Sequence, residues 1–152
     1  MKTEGMLEDF QNAVENRLLQ LSELRNVPIL NYKQSCLRSV VESNVKSCCG
    51  ISITIMPPVP IDIDQNVAGP VFNKISLEVD VTENIGINSA GQSLLFVVET
   101  VMRRLHMQKL RIHGDDYQIK ISKDGDCCRL DRSDAFVRFR MKFTTSCGLK
   151  CE

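Results

Sequence analysis

Residues 71–82 read VFNKISLEVDVT and form the most regular part of the sequence. Apolar side chains at Ile75, Leu77 and Val79 alternate with polar ones, which is the two-residue period of a half-buried strand. A strand buried on both faces, as in a parallel sheet, would instead show a continuous apolar run. The stretch therefore predicts a β-strand of an antiparallel sheet with one face on the core.

The same alternation occurs in three other parts of the chain, where it predicts strands over residues 51–55, 117–121 and 135–145. Short strands stay open as alternatives over residues 29–32, 61–63 and around 127–130. Three prolines within residues 57–60 exclude a central strand or a helix at that point. Residues 57–70 are therefore predicted to form a proline-rich loop or flap.

Two long stretches have the period of an amphipathic helix. Residues 3–25 and about 90–107 carry apolar side chains at three- and four-residue steps, and residues 34–47 do so more weakly. The elements together predict an α+β fold, an antiparallel β-sheet of about four strands with two main helices packed on one face. The predicted organisation is one domain over residues 1–152, with a strand–helix–strand core over 71–145 and a tail over 146–152.

Composition narrows the classes of function. The chain has 152 residues, 43% of them apolar, and 19 basic residues balance 19 acidic ones. A neutral chain offers no electrostatic attraction to nucleic acid, so no nucleic-acid sequence recognition is expected. No apolar stretch approaches the roughly 20 residues that span a bilayer, and the acidic start MKTEGMLEDF does not resemble a signal peptide. The expectation is a protein of the cytoplasm with no membrane partner.

Candidate catalytic or metal-binding groups are few. The seven cysteines include no C-x-x-C pair and are interpreted as reduced thiols, while a zinc site through Cys147, Cys151 and a distant pair stays open. His113 precedes Asp115 and Asp116 and is a candidate base or metal ligand, although a solvated turn explains the same residues. No catalytic, metal-binding or cofactor-binding residue is predicted, and the protein is not expected to be an enzyme.

Residues 86–93, GINSAGQS, differ by one letter from the G-x-x-x-x-G-K-[ST] loop that cradles nucleotide phosphates. Gln92 stands in place of the lysine, and an amide lacks the positive charge that reaches the terminal phosphates. Ser89 as a helix N-cap, with Gln92 three residues later, matches a capping box instead. The stretch is therefore interpreted as a strand-to-helix connection, and a nucleotide-binding enzyme is kept as an alternative.

The polar faces of two predicted strands have opposite charges. Glu78 and Asp80 form an acidic stripe, and Arg138, Arg140 and Lys142 form a basic one. If the two strands are neighbours, these side chains pair across the sheet. If they are not, the acidic stripe of one copy can meet the basic stripe of the next in a head-to-tail ring.

The segment AGPVFNKISLEVDVTENIGINSAGQSLLFVVETVMRRLH, residues 68–106, resembles a segment of bacteriophage tail-terminator or tail-completion (minor tail) proteins of the lambda-like type. The resemblance is carried by Gly69, Pro70, the strand to Val81, Glu83, Asn84, Ile87, Asn88, Gly91 and the helix to His106. The later stretches YQIKIS and AFVRFRMKF also resemble strands of that family, so the similarity covers most of residues 3–145.

This resemblance implies a structural virion or prophage protein rather than an enzyme. Such proteins form a ring, usually a hexamer, at the end of the tail tube, where they terminate tail assembly and join the tail to the head connector. The implied partners are further copies of the chain, the tail-tube protein and the head–tail connector protein. The implied location is the bacterial cytoplasm during assembly and then the virion tail. Candidate assembly contacts are Glu78, Asp80, Asn84, Ile87, Asn88, Arg138, Arg140 and Lys142.

The chain departs from the family pattern in its seven cysteines, its neutral charge and Gln92, which leaves tail type and ring size open. The main alternative is a non-enzymatic binding module of a bacterial cell with no phage role.

Overall fold

The computed structural model describes residues 5–31, 50–64, 71–84, 86–89, 91–122, 128–132 and 136–146. These residues form two α-helices, one short 3₁₀ turn and eight strands. The helices are α1 (Met6–Leu19) and α2 (Leu94–Leu105), and the 3₁₀ turn is Ser22–Leu24. The strands are β1 (Ile29–Asn31), β2 (Ile51–Ile55), β3 (Val59–Asp64), β4 (Val71–Asn84), β5 (Lys109–Ile112), β6 (Asp115–Ile121), β7 (Cys128–Arg132) and β8 (Phe136–Ser146).

The predicted α+β fold with about four antiparallel strands and two main helices is wrong. The described chain is mostly sheet, with eight strands in one curled, mixed sheet. The sheet is mixed because β1 pairs with β2 in parallel, whereas the other pairs are antiparallel. The short strands left open over residues 29–32, 61–63 and around 127–130 are present as β1, β3 and β7, whereas β5 was not predicted.

Pro60 lies inside β3, in the stretch predicted to be a proline-rich loop or flap. β3 pairs with β4 alone among the described strands, so it is an edge strand, where a missing N–H group is tolerated. The pairing also shifts register after Pro60, which is the irregularity expected of a bulged edge. The predicted helix over 34–47 lies outside the described residues.

Two long strands, β4 and β8, form the centre of the sheet and pair along eleven positions from Lys74–Ser146 to Asn84–Phe136. β2 and β3 pair one after the other along the outer edge of β4, and β7 and β6 do so along the outer edge of β8. One end of the sheet therefore has the order β1-β2-β4-β8-β7, and the other end has the order β3-β4-β8-β6-β5. We call these the first and the second row.

The core lies between the apolar face of this sheet and the two helices. Ile75, Leu77, Val79 and Val81 of β4 are buried, as their alternation predicted. From the helices, α1 contributes Phe10, Val14 and Leu18 to the same cluster, and α2 contributes Val97, Val101 and Leu105. The core face of the long strand was therefore correctly predicted from the two-residue period.

The opposite face of β2 and β4 is polar and yet buried. Ser52 and Thr54 on β2 and Asp80 and Thr82 on β4 are all less than a tenth exposed. Thr54 lies opposite Asp80, and Ser52 lies opposite Thr82. Asp80 is paired with Arg140, whereas the buried hydroxyls of Ser52 and Thr54 have no hydrogen-bond partner among the described atoms.

Candidate assembly surfaces

The acidic and basic stripes lie next to each other, because β4 and β8 are neighbours. Their register sets Glu78 opposite Lys142, Asp80 opposite Arg140 and Thr82 opposite Arg138. The guanidinium of Arg140 donates to both carboxylate oxygens of Asp80, at 2.9 and 3.0 Å. Its Nε also lies 3.4 Å from a carboxylate oxygen of Glu78. Of the two arrangements that the sequence left open, the structure has cross-strand pairing within one chain.

The Asp80–Arg140 pair is the buried member of this set. The Asp80 side chain is 4% exposed and that of Arg140 is 28% exposed. The hydrogen bond to Asp80 raises the pKa of Arg140, against the opposing effect of burial. A buried carboxylate needs its counter-ion. A shift of β4 against β8 would separate Asp80 from Arg140, so this pair stabilises the observed register. Arg138, in contrast, is exposed.

The connection from β4 to α2 is held by the carboxylate of Glu83. One of its oxygens accepts hydrogen bonds from Asn88 Nδ2 at 2.6 Å and from the backbone N–H of Leu94 at 3.2 Å. Asn88 Nδ2 also donates to the Gln92 carbonyl at 2.7 Å. The loop is therefore fastened to the end of β4 and to the start of α2 by its own polar groups.

The predicted capping box of Ser89 and Gln92 is wrong. The helix begins at Leu94, and Ser93 is the N-cap, with its hydroxyl accepting from the N–H of Phe96 at 3.2 Å. Gln92 instead donates its amide to the backbone carbonyl of Glu23. The prediction chose the wrong serine as N-cap, because Ser93 satisfies the N-cap preference as well as Ser89 does. The interpretation of the stretch as a strand-to-helix connection stands.

Gly50, immediately before β2, lies against the backbone of the same loop at Ile87 and Asn88. Its φ is +79°, and a Cβ atom there would lie 2.5 Å from the Ile87 carbonyl oxygen and 2.7 Å from Asn88 Cα. Its carbonyl accepts from the N–H of Asn84 at 2.7 Å. Only glycine allows this approach. Sequence reasoning missed the role of Gly50, and the only signal for it was its place just before an alternating strand.

Among the predicted contact residues, Asn84 and Asn88 use their side chains within the chain. Asn84 Oδ1 accepts from the N–H of Gly86 at 3.1 Å. Ile87 is different, because it is 44% exposed at the tip of the fastened loop. Leu95 and Phe96, in the first turn of α2, are 68% and 42% exposed. We call Ile87, Leu95 and Phe96 the apolar tip.

His113 lies in an exposed turn, which is one of the two interpretations that the sequence left open. It lies with φ +53° in the tight turn between β5 and β6, and its Nε2 contacts a carboxylate oxygen of Asp9 on α1. Within the described parts of the chain, no group of three or more potential ligands could hold a metal ion. Cys147 and Cys151 lie outside them.

Neither of the two described helices is long and apolar enough to cross a membrane.

Comparison with known proteins supports the fold alone. No family profile and no curated protein matches the sequence. Eight chains of solved structures match. One of them, a protein whose name describes no activity, has a TM-score of 0.63 at 16% identity, over 97% of this chain and 100% of the other. The architecture thus occurs, over nearly the whole length, in another protein of very different sequence.

Proposed function

We propose that this chain is a structural protein of a bacteriophage or prophage that assembles into a ring at the end of the tail tube. There it terminates tail assembly and joins the tail to the head connector. Assembly takes place in the bacterial cytoplasm, and the protein ends in the virion tail. The proposal starts from the sequence resemblance over residues 3–145, and it needs a surface through which copies can associate.

The apolar tip is the observation that supports this proposal best. Its three side chains are exposed while the loop beneath them is held by Glu83 and by the close approach of Gly50. A fastened loop loses little conformational entropy on binding, which favours association. Exposed apolar side chains that lie together mark contact sites, and these three belong to one loop and the first turn of the helix that follows it. We therefore assign the apolar tip to contacts with the tube protein or a neighbouring copy.

Fewer residues of the charged stripes are assigned to contacts with other molecules than the sequence suggested. Asp80 and Arg140 are paired with each other, so they contribute to the sheet that carries the contact surface. Arg138 is exposed and remains a candidate for direct contact.

The test measures assembly directly. The purified chain, alone and mixed with the tail-tube protein of the same phage or prophage, is examined by size-exclusion chromatography with light scattering and by electron microscopy. We expect rings in at least one of the two samples. Particles that stay monomeric in both, at high protein concentration, would contradict the proposal and favour a binding module without a phage role.

A matched pair of variants tests the assigned surface. Leu95→Ser should weaken assembly or tube binding at least tenfold, because it removes the most exposed member of the apolar tip. Leu19→Ser is the control, since Leu19 is 58% exposed on α1, outside the apolar tip. Equal loss in both variants, or in neither, would remove the apolar tip from the proposal.

A further inference from the structure

β5 is the outer strand of the second row, and none of the described strands pairs with its outer backbone edge. The N–H of Ile119 on β6 donates to the Gln108 carbonyl at 2.9 Å. This bond shows which residues of β5 direct their backbone groups toward β6. In an antiparallel pair, alternate residues turn their N–H and C=O groups away from the partner strand. For β5 these residues are Lys109 and Arg111, and both side chains are exposed.

A groove of ≈ 490 Å³ runs beside this edge, between β5 and α1. It is lined on the helix side by residues that include Asp9, Ala13 and Arg17, and on the strand side by residues 109–113. Arg17 Nε is buried there and has no hydrogen-bond partner among the described atoms. The groove therefore combines a backbone edge that no described strand covers with a lining that is basic apart from Asp9, a combination that suits an extended acidic segment.

The other outer strand of the second row is β3, and it has the complementary composition. Its sequence VPIDID carries two aspartates and no basic residue, whereas the sequence of β5, KLRI, carries two basic residues and no acid. Val59 and Ile61 are 54% and 44% exposed, which is unusual for an edge strand left in solvent. Pro60 has no N–H group, so β3 lacks one backbone donor at that position.

We propose that β3 of a second copy pairs along β5, in the groove beside α1. This inference rests on the proposed ring and specifies its contact. β3, β8 and β5 all run in one direction, because each pair in the second row is antiparallel. If the row continues from copy to copy with its direction unchanged, β5 and the incoming β3 run parallel. The contact is head-to-tail, which is the type that closes rings.

Charge reversal tests this contact. Lys109→Glu/Arg111→Glu makes β5 acidic, and Asp62→Lys/Asp64→Lys makes β3 basic. Each double variant alone should associate at least tenfold more weakly than the unmodified chain, since like charges then oppose each other. An equimolar mixture of the two should assemble again, because every contact then joins complementary strands. Lys120→Glu/Arg132→Glu is the control, with the same change of charge at exposed positions on β6 and β7.

A second readout detects strand addition itself. In the unmodified assembly, the backbone amides of Lys109 and Arg111 should become protected from hydrogen exchange, while both stay unprotected in the monomeric double variants. If the unmodified chain forms rings and neither reversal weakens them, the ring stands and this contact is overturned. If the chain forms no rings, with or without tube protein, the proposed function fails and the contact falls with it. Weakening by the control variant to the same degree would likewise overturn the contact.

Discussion

The centre of the sheet and its outer strands use charge in opposite ways. At the centre, Asp80 and Arg140 neutralise each other across β4 and β8, where one of the two is buried. At the edge of the second row, Lys109 and Arg111 are exposed on a strand whose outer edge pairs with no described strand. The centre therefore uses its charges to fix the fold, whereas the outer strand leaves its charges available for contacts with other molecules. Stability and assembly should accordingly respond to different substitutions.

The largest expected effect on stability is at the centre. Arg140→Met leaves the buried carboxylate of Asp80 without its counter-ion, which should lower the free energy of unfolding by about 3 kcal/mol. The measurement is equilibrium denaturation in urea. The control is the double variant Asp80→Val/Arg140→Met, which should be less destabilised because no unpaired charge remains. Equal loss in the single and double variants would show that packing, rather than charge, makes this pair important.

An intermediate effect is expected where β2 meets the fastened loop. Gly50→Ala should cost about 2 kcal/mol, since a positive φ and a contact with the backbone of Ile87 both oppose the new Cβ. Gly91→Ala is matched to it, because φ is +77° but, apart from its chain neighbours, no described atom lies within 4 Å of the new Cβ. Thermal unfolding of both variants measures the difference. Similar losses in the two would mean that the close approach to Ile87 contributes nothing.

The smallest effect on stability is expected at the outer strand. Lys109→Ala/Arg111→Ala should change the free energy of unfolding by less than about 0.5 kcal/mol, because exposed side chains without special contacts contribute little. The same variant should associate several-fold more weakly, and sedimentation at two ionic strengths measures that change. A large loss of stability with assembly intact would reverse the contrast between centre and edge.

The sequence predicted the long central strand better than the short outer strands. The core face of β4 was correctly predicted because one strand with one buried face leaves a period of two in the residue order. β5 was missed because a four-residue strand that directly follows an amphipathic helix has too few residues to show a period. The parallel pairing of β1 with β2 was missed because alternation reports burial and not the direction of a neighbour.

The candidate surfaces were predictable to a smaller extent. Ile87 was identified from its loop, and the opposite charges of β4 and β8 were identified from their stripes. Which of these charges are used within the chain depends on strand order, and no residue pattern encodes that order locally. The same holds for Gly50, whose contact with Ile87 joins residues far apart in the sequence.

The order in which the strands are synthesised has a consequence for folding in the cell. β8 pairs with β4, β6 and β7, yet it comes after all three in the chain. Roughly 50 residues separate the end of β4 from the start of β8, and a ribosome adds about 5–20 residues per second. The edge of β4 therefore stays unpaired for about 3–10 s in every nascent chain. During that time this edge is exposed to pairing with other nascent chains, and the β4–β8 ladder is completed only after residue 146 has left the ribosome.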